Sequence, residues 1–302
     1  MANRALALAI ELSRFSRRAR RPNAIELGHL AELRYEYQEL ADLYPPPDGV
    51  SYQPVEAGGV SAEWVIPPHA RDDRVVLYLH GGCYATGSVA THRDLLTRLA
   101  AASSTRLLGL NYRLAPAHPF PAALDDTVAA YRWLLELGIE ASQIAFAGDS
   151  AGAGLALATT LRLRDDGTPI PAALACISPW VDLAVTGPSM ETNAGNDPIV
   201  SCPMLLGWAK LYLGDHDPRI PLASPLYADL RGLPPLLIQV GSAEVLLDDA
   251  TRLAERASAA GVNSTLEVWP AMIHVWHTFP AVPEARAAIA AIASFLRTHL
   301  DT

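Results

Sequence analysis

Lysine is almost missing from this chain. It occurs once, at Lys210, and arginine carries the rest of the positive charge. Acidic residues outnumber basic ones, 32 to 23, for a net charge of −9. A chain so charged offers little basic surface to neutralise phosphates, which argues against a nucleic-acid partner. Cysteine is scarce as well. Cys83, Cys176 and Cys202 are an odd number with no metal-ligand spacing, so neither a disulfide framework nor a metal site is expected, and a reducing cytoplasm fits. Apolar runs are short, and none approaches the roughly 18 residues of a membrane span. At the N-terminus the apolar residues Ala5 to Ile10 precede Glu11 and the arginines, the reverse of a secretory leader. The expectation is a soluble, cytoplasmic protein without internal repeats or low-complexity segments.

What is there is apolar material in quantity. Half of the 302 residues are hydrophobic, enough for one large α/β domain or two ordinary ones. Residues 4–21 read as an amphipathic helix, with Leu8, Leu12 and Phe15 on one face and Arg14, Arg17, Arg18 and Arg21 on the other. A second helix is expected over 25–43, before Pro45-Pro46-Pro47. Two short strands, 50–55 and 62–66, flank Gly58-Gly59. From residue 74 strands and helices alternate: strands at 74–80, 106–110, 144–147 and 172–177, helices at 91–102, 122–137 and 151–164. That alternation marks a parallel sheet. It breaks between 178 and 233, a stretch rich in Pro, Gly and Asn with one helical piece at 203–213, too long for a bare loop. It resumes with strands at 235–240 and 264–269 and helices at 248–260 and 283–300.

The chemistry-bearing segments sit at strand ends. Gly148-Asp149-Ser150-Ala151-Gly152 fits G-x-S-x-G, a serine on a sharp strand-to-helix turn whose small neighbours let the two backbones nearly touch. Ser150 is the candidate nucleophile. His80-Gly81-Gly82-Cys83-Tyr84 follows the strand at 74–80, and backbone N–H groups of such a glycine turn can face an oxyanion. Gly81, Gly82 and Ala151 are the candidate donors. After 235–240 three carboxylates compete, Glu244, Asp248 and Asp249. Glu244 lies nearest the strand end, whereas the two aspartates read as first-turn helix residues complementing the dipole. The loop after the last strand holds His274 and His277. Ser150, Glu244 and His274 then fall in the chain order nucleophile, acid, base.

These segments, together with the stretch from Asn111-Tyr112-Arg113-Leu114-Ala115-Pro116 to Asp125-Asp126, resemble the hormone-sensitive lipase-like family of bacterial carboxylesterases, in family order from about residue 50 to the end. The resemblance implies an α/β-hydrolase fold: a mostly parallel eight-stranded sheet flanked by helices. Its core would be 49–180 and 230–302, with residues 1–48 a helical cap arm and 181–229 a cap insertion. It implies hydrolysis of short- to medium-chain acyl esters, lactones among them, through an acyl-enzyme on Ser150 with His274 as base and Glu244 as acid. No cofactor or metal is implied. The partner is a small-molecule ester, and a homodimer stays open. Arg113, Asp125 and Asp126 are expected to tie a loop to the following helix, Asp149 to brace the elbow, and His277 to be structural.

Two departures stand out. The family's third glycine is Cys83 here. A positive φ would strain it, but its N–H would serve an oxyanion regardless of side chain. Cys83 as a rival nucleophile has nothing nearby placed as its base. The family's Asp-Pro-Leu-x-Asp-Glu falls without gaps on Glu244 to Asp249, which puts glutamate in the acid position. Two other readings remain: an amide or formamide hydrolase on the same fold, and a non-catalytic ligand receptor of the gibberellin-receptor kind, against which His274 argues.

Overall fold

The computed structural model describes residues 30–300. The helix expected at 4–21 lies outside them, and of the second helix α1 is described over Leu30–Ala41. A hairpin follows, β1 (Ser51–Ala57) and β2 (Val60–Ile66). Gly58 and Gly59 turn it with φ of 62° and 84°, the positive pair a two-residue hairpin loop requires. Then come β3 (Arg71–Leu79), α2 (Val89–Ser103), β4 (Thr105–Leu110), α3 (Ala122–Glu136), β5 (Ile144–Asp149), α4 (Ala151–Asp165) and β6 (Ala173–Ile177). The segment that interrupts the alternation carries two helices, α5 (Ser189–Thr192) and α6 (Cys202–Leu213). The chain closes with β7 (Leu236–Gly241), α7 (Leu247–Ala259), β8 (Ser264–Trp269) and α8 (Pro283–Leu300).

The eight strands form one sheet in the order β1-β2-β4-β3-β5-β6-β7-β8. The pairs β1/β2 and β2/β4 are antiparallel and the others parallel, so the sheet is the mostly parallel one expected. Its central strands are covered on both faces, which explains their unbroken apolar runs: Val75 to Leu79 and Ile144 to Ala147 are all buried. Leu95, Leu96 and Leu99 of α2 pack with Ile289, Ile292 and Leu296 of α8 in one core layer. Side chains of α3, α4 and α7 fill the other. Strand β3 begins three residues earlier than its apolar pattern suggests. Its start is the charged Arg71-Asp72-Asp73-Arg74, with a register shift against β4 between Arg71 and Val75.

This topology places the site. Strand β3 lies between β4 and β5, so successive crossovers run in opposite directions from it, and ligands of open α/β sheets bind at the carboxyl ends beside such a reversal. Leu79 of β3 is level with Gly148 of β5, Asp149 with Ile177 of β6, Ile177 with Gln239 of β7, and Gly241 with Trp269 of β8. The segments leaving those strand ends, at His80, Ser150, Ser178, Ser242 and Pro270, are therefore neighbours in that order along one edge.

Candidate active site

Ser150 stands between β5 and α4 with φ 52° and ψ −120°, a conformation that non-glycine residues avoid and that costs about 1–3 kcal/mol. The packing around it enforces the turn. A Cβ on Gly152 would lie 2.0 Å from the Leu79 carbonyl oxygen, and one on Gly148 2.6 Å from the Gly152 backbone. Both glycines are thus required by the close approach of β3, β5 and α4. The Ser150 N–H donates to Ile177 O (2.8 Å), and its carbonyl accepts from Trp180 N–H (3.1 Å), so the turn after β6 holds the elbow from the side.

The same turn reaches the acid and the base. Ser178, at φ 44°, donates its hydroxyl to Glu244 Oε1 (2.8 Å) and accepts the Val275 N–H (3.1 Å). Glu244 is wholly buried, and its Oε1 also accepts the Gly241 N–H at 2.6 Å. Its Oε2 lies 3.1 Å from His274 Nδ1. With a carboxylate as acceptor, Nδ1 carries the proton and Nε2 is left free. The two loops are laced together by the Ala243 N–H to Met272 O (3.1 Å) and the Ala271 N–H to Ser242 Oγ (2.8 Å). Burial pulls the imidazole of His274 down, but the hydrogen bond and charge of Glu244 outweigh it and raise its pKa above the ordinary 6.5. Burial likewise pushes the Glu244 carboxyl up against the opposing pull of His274. The Ser150 hydroxyl has no hydrogen-bond partner among the described residues. The structure thus joins Glu244 to His274 and leaves the nucleophile–base bond unmade, a bond that commonly tightens only around substrate.

The glycine turn after β3 requires a correction. The Gly81 N–H donates to Asp149 Oδ1 at 3.0 Å, so it is not free to serve an oxyanion. The turn proper is Gly82-Cys83-Tyr84, with φ of 114°, 54° and 61°. A Cβ on Gly82 would lie 2.3 Å from Thr86 O, and the Gly82 carbonyl accepts both the Ala85 and Thr86 N–H groups. Among the described residues the N–H groups of Gly82, Cys83 and Tyr84 have no hydrogen-bond partner, and those of Gly82 and Cys83 are the candidate donors here. Ala151 adds a third, since the first N–H groups of a helix have no partner within it.

Cys83 therefore occupies a left-handed position where glycine is at ease. Burial pushes its thiol up to about 12, so no thiolate forms near neutral pH. Cys83→Gly is expected to keep kcat within about threefold, because the backbone N–H survives and the relief of about 1–2 kcal/mol of left-handed strain offsets the lost thiol packing. Steady-state kinetics beside urea unfolding would check this, and a collapse of activity would return the thiol to the chemistry.

Asp248 and Asp249 do lie in the first turn of α7, but their carboxylates are not merely dipole partners. Asp248 Oδ2 accepts the Ser189 N–H (2.6 Å), and Asp249 Oδ2 accepts those of Val181 and Asp182 (both 2.9 Å). Both tie α7 to the long segment after β6. Asp249 Oδ1 is buried without a partner, and burial pushes this carboxyl up to about 8. Folded Asp249 thus holds a proton that the unfolded chain releases near 3.8, so its contribution to stability declines as pH rises from about 4 to about 8. Asp249→Asn keeps an acceptor for both N–H groups and is expected to flatten that decline. Melting temperatures of both proteins from pH 5 to 9 would test it, and parallel curves would refute it.

The remaining expected residues divide clearly. Arg113 pairs with Asp126, its Nε 2.9 Å from Oδ1, while the exposed Asp125 makes no hydrogen bond to it and adds only its nearby charge. His277 donates from Nε2 to Gln239 Oε1 (2.8 Å), and burial drives it down to about 3, so it stays neutral and structural. Sequence reasoning missed Ser178. Its only signal was a small polar residue at the carboxyl end of a strand flanked by the two that carry Ser150 and Glu244.

A buried carboxylate–histidine pair beside a serine elbow, on the carboxyl edge of a parallel sheet, defines an α/β hydrolase. Residues 76–278 match the family model of the α/β hydrolase fold. The chain is 51% identical over 262 residues to an acetyl-hydrolase of Streptomyces hygroscopicus, covering 86% of each chain. It is 39% identical over 284 residues to an esterase of Acinetobacter venetianus, covering 93% of each. A solved esterase of the bacterial hormone-sensitive lipase family superposes with a TM-score of 0.94 at 50% identity, covering 97% of this chain and 98% of that one. The chain belongs to the α/β-hydrolase fold family, within its bacterial hormone-sensitive lipase branch. The names of these relatives support carboxylic ester hydrolysis. Among the described residues no helix is long and apolar enough to cross a membrane.

Proposed function

We propose that the protein is a serine carboxylesterase that hydrolyses short-chain acyl esters, extending to medium chains and lactones, through an acyl-enzyme. The observation that carries this reading is the buried Glu244–His274 pair, linked through Ser178 to the turn that brackets Ser150. Nε2 of His274 takes the Ser150 proton as the hydroxyl attacks the acyl carbonyl. It then returns that proton to the leaving alcohol. Glu244 fixes the imidazole tautomer and stabilises the imidazolium. The N–H groups of Gly82, Cys83 and Ala151 receive the oxyanion, each worth about 3 kcal/mol in comparable sites. Water then releases the acid by the same base. Helix α1 and the segment 181–229 form the cap over this edge.

The 51% identical acetyl-hydrolase favours the short end of the acyl range and keeps a second reading in play, an acetyl amide as substrate. Incubation with p-nitrophenyl acetate, butyrate and octanoate, a lactone, and an N-acetyl and an N-formyl arylamine would separate them. Turnover falling with chain length and much weaker on the amides supports the proposal. Amide turnover exceeding ester turnover would replace it.

A further inference from the structure

The oxyanion turn is not held by its own hydrogen bonds alone. Cys83 and Tyr84 are non-glycine residues in left-handed conformation, each at a cost of about 1–2 kcal/mol, so the free turn would relax to another shape. Such strain persists only where surrounding contacts over-determine it. Beside the Thr86 hydroxyl on Gly82 O and the Tyr212 ring on Tyr84, two charged side chains outside the triad make such contacts, one at each end.

At the entry stands Asp149, fully buried. Its Oδ1 accepts the Gly81 N–H (3.0 Å) and the Tyr78 hydroxyl (2.9 Å), and its Oδ2 lies 3.4 Å from His92 Nε2. The fit is close: a Cβ on Gly81 would come within 2.2 Å of Oδ2. At the exit stands Arg34, from α1. Its Nε donates to Ala85 O (2.9 Å) and its Nη2 to Ala115 O (3.1 Å), while the Ala115 N–H donates to Tyr84 O (2.9 Å). The two anchors are connected. Tyr37, one turn beyond Arg34 on α1, has its hydroxyl 3.3 Å from the same His92 Nε2 that faces Asp149. Burial pushes the Asp149 carboxyl up, but His92 and Tyr78 outweigh it and hold it below the ordinary carboxylate range, so it is charged when it takes the Gly81 N–H.

We propose that Asp149 and Arg34 are positioning residues of the oxyanion hole: together they hold Gly82-Cys83-Tyr84 in its strained turn, with the Gly82 and Cys83 N–H groups toward Ser150. Helix α1 is then part of the catalytic apparatus. This rests on the ester-hydrolysis reading above. Neither side chain acts on substrate. The loss on removing either should therefore appear in the transition state and not in substrate binding.

The test compares wild type, Asp149→Asn and Arg34→Gln on p-nitrophenyl acetate and on its thiono analogue, in which sulfur replaces the carbonyl oxygen and accepts hydrogen bonds poorly. Expected is a fall in kcat of about 100-fold for D149N and about tenfold for R34Q with KM within about threefold, since small misplacements of positioned groups cost on this scale. Both variants should also lose part of the preference for the oxygen ester. A lower kcat with the preference unchanged, or a loss confined to KM, overturns the proposal. If D149N does not fold, R34Q and Tyr37→Phe carry the same comparison. Phosphonate labelling of wild-type Ser150 separates the two levels. An unlabelled serine sinks the ester reading itself. A labelled serine with unaltered oxygen preference in the variants sinks only this inference.

Discussion

Ser150→Ala is expected to lower kcat by about 10⁶-fold while the protein folds normally, because removing the nucleophile of such a triad costs about as much as removing the whole triad. The alanine methyl fits a site that is already tight, and Ser150 gives up no hydrogen bond through its side chain. The backbone bonds to Ile177 and Trp180 remain. Some stabilisation is expected in exchange for the lost hydroxyl, since active-site strain of this kind trades stability for activity. Urea unfolding beside single-turnover kinetics would measure both. Residual activity within 100-fold of wild type would mean that another group performs the attack.

The second large effect concerns the acid. Glu244→Ala is expected to lower kcat by about 10⁴-fold, as loss of the triad carboxylate does elsewhere. It removes the partner of His274 Nδ1 and leaves the Ser178 hydroxyl and the Gly241 N–H facing a void. Asp248→Ala should cost less than about tenfold, because that side chain holds the Ser189 backbone and lies outside the pair. The milder Glu244→Gln makes a pH prediction. The base works when neutral, so activity rises with pH through the His274 pKa. With Glu244 charged that limb lies above 6.5, because the carboxylate favours the imidazolium. In Glu244→Gln the charge is gone while burial still disfavours the imidazolium, and the limb should move to lower pH. A limb that stays in place would assign the acid role to another residue.

Much of this architecture was legible in the chain. The strands of the central sheet announce themselves by apolar runs, since burial on both faces leaves no room for alternation. The elbow is legible because close backbone approach at Leu79 demands glycine at two fixed offsets from Ser150. What stayed hidden depends on partners far away in sequence. Gly81 looks like an oxyanion donor until Asp149, 68 residues on, is seen to take its N–H. Asp248 and Asp249 look like ordinary helix-start residues until the backbones they bind, 59 to 68 residues earlier, are in view. Ser178 carries no signal beyond its place at a strand end. A lone serine becomes a junction only once β6 is known to lie between β5 and β7.

Two of the attachments of the long segment after β6 are unlike in kind. Its first half grips the acid loop: Asn193 Nδ2 donates to Glu244 O (2.7 Å), Asp197 Oδ2 accepts the Val245 N–H (3.0 Å), and Ser189 Oγ donates to Val245 O (2.5 Å). Its second half, α6, reaches the opposite side, where the Phe120 N–H donates to Tyr212 O (2.8 Å) and Tyr212 stacks on Tyr84 at 3.8 Å. The end of the segment is tied back to its start by Ser224, Leu226 and Tyr227 on residues 181–183, so α6 is the part that separates from the acid loop. A recombination boundary near Val200 would exchange α6, and with it the aromatic wall behind the oxyanion turn, while the scaffold of the carboxylate travels intact with the parent.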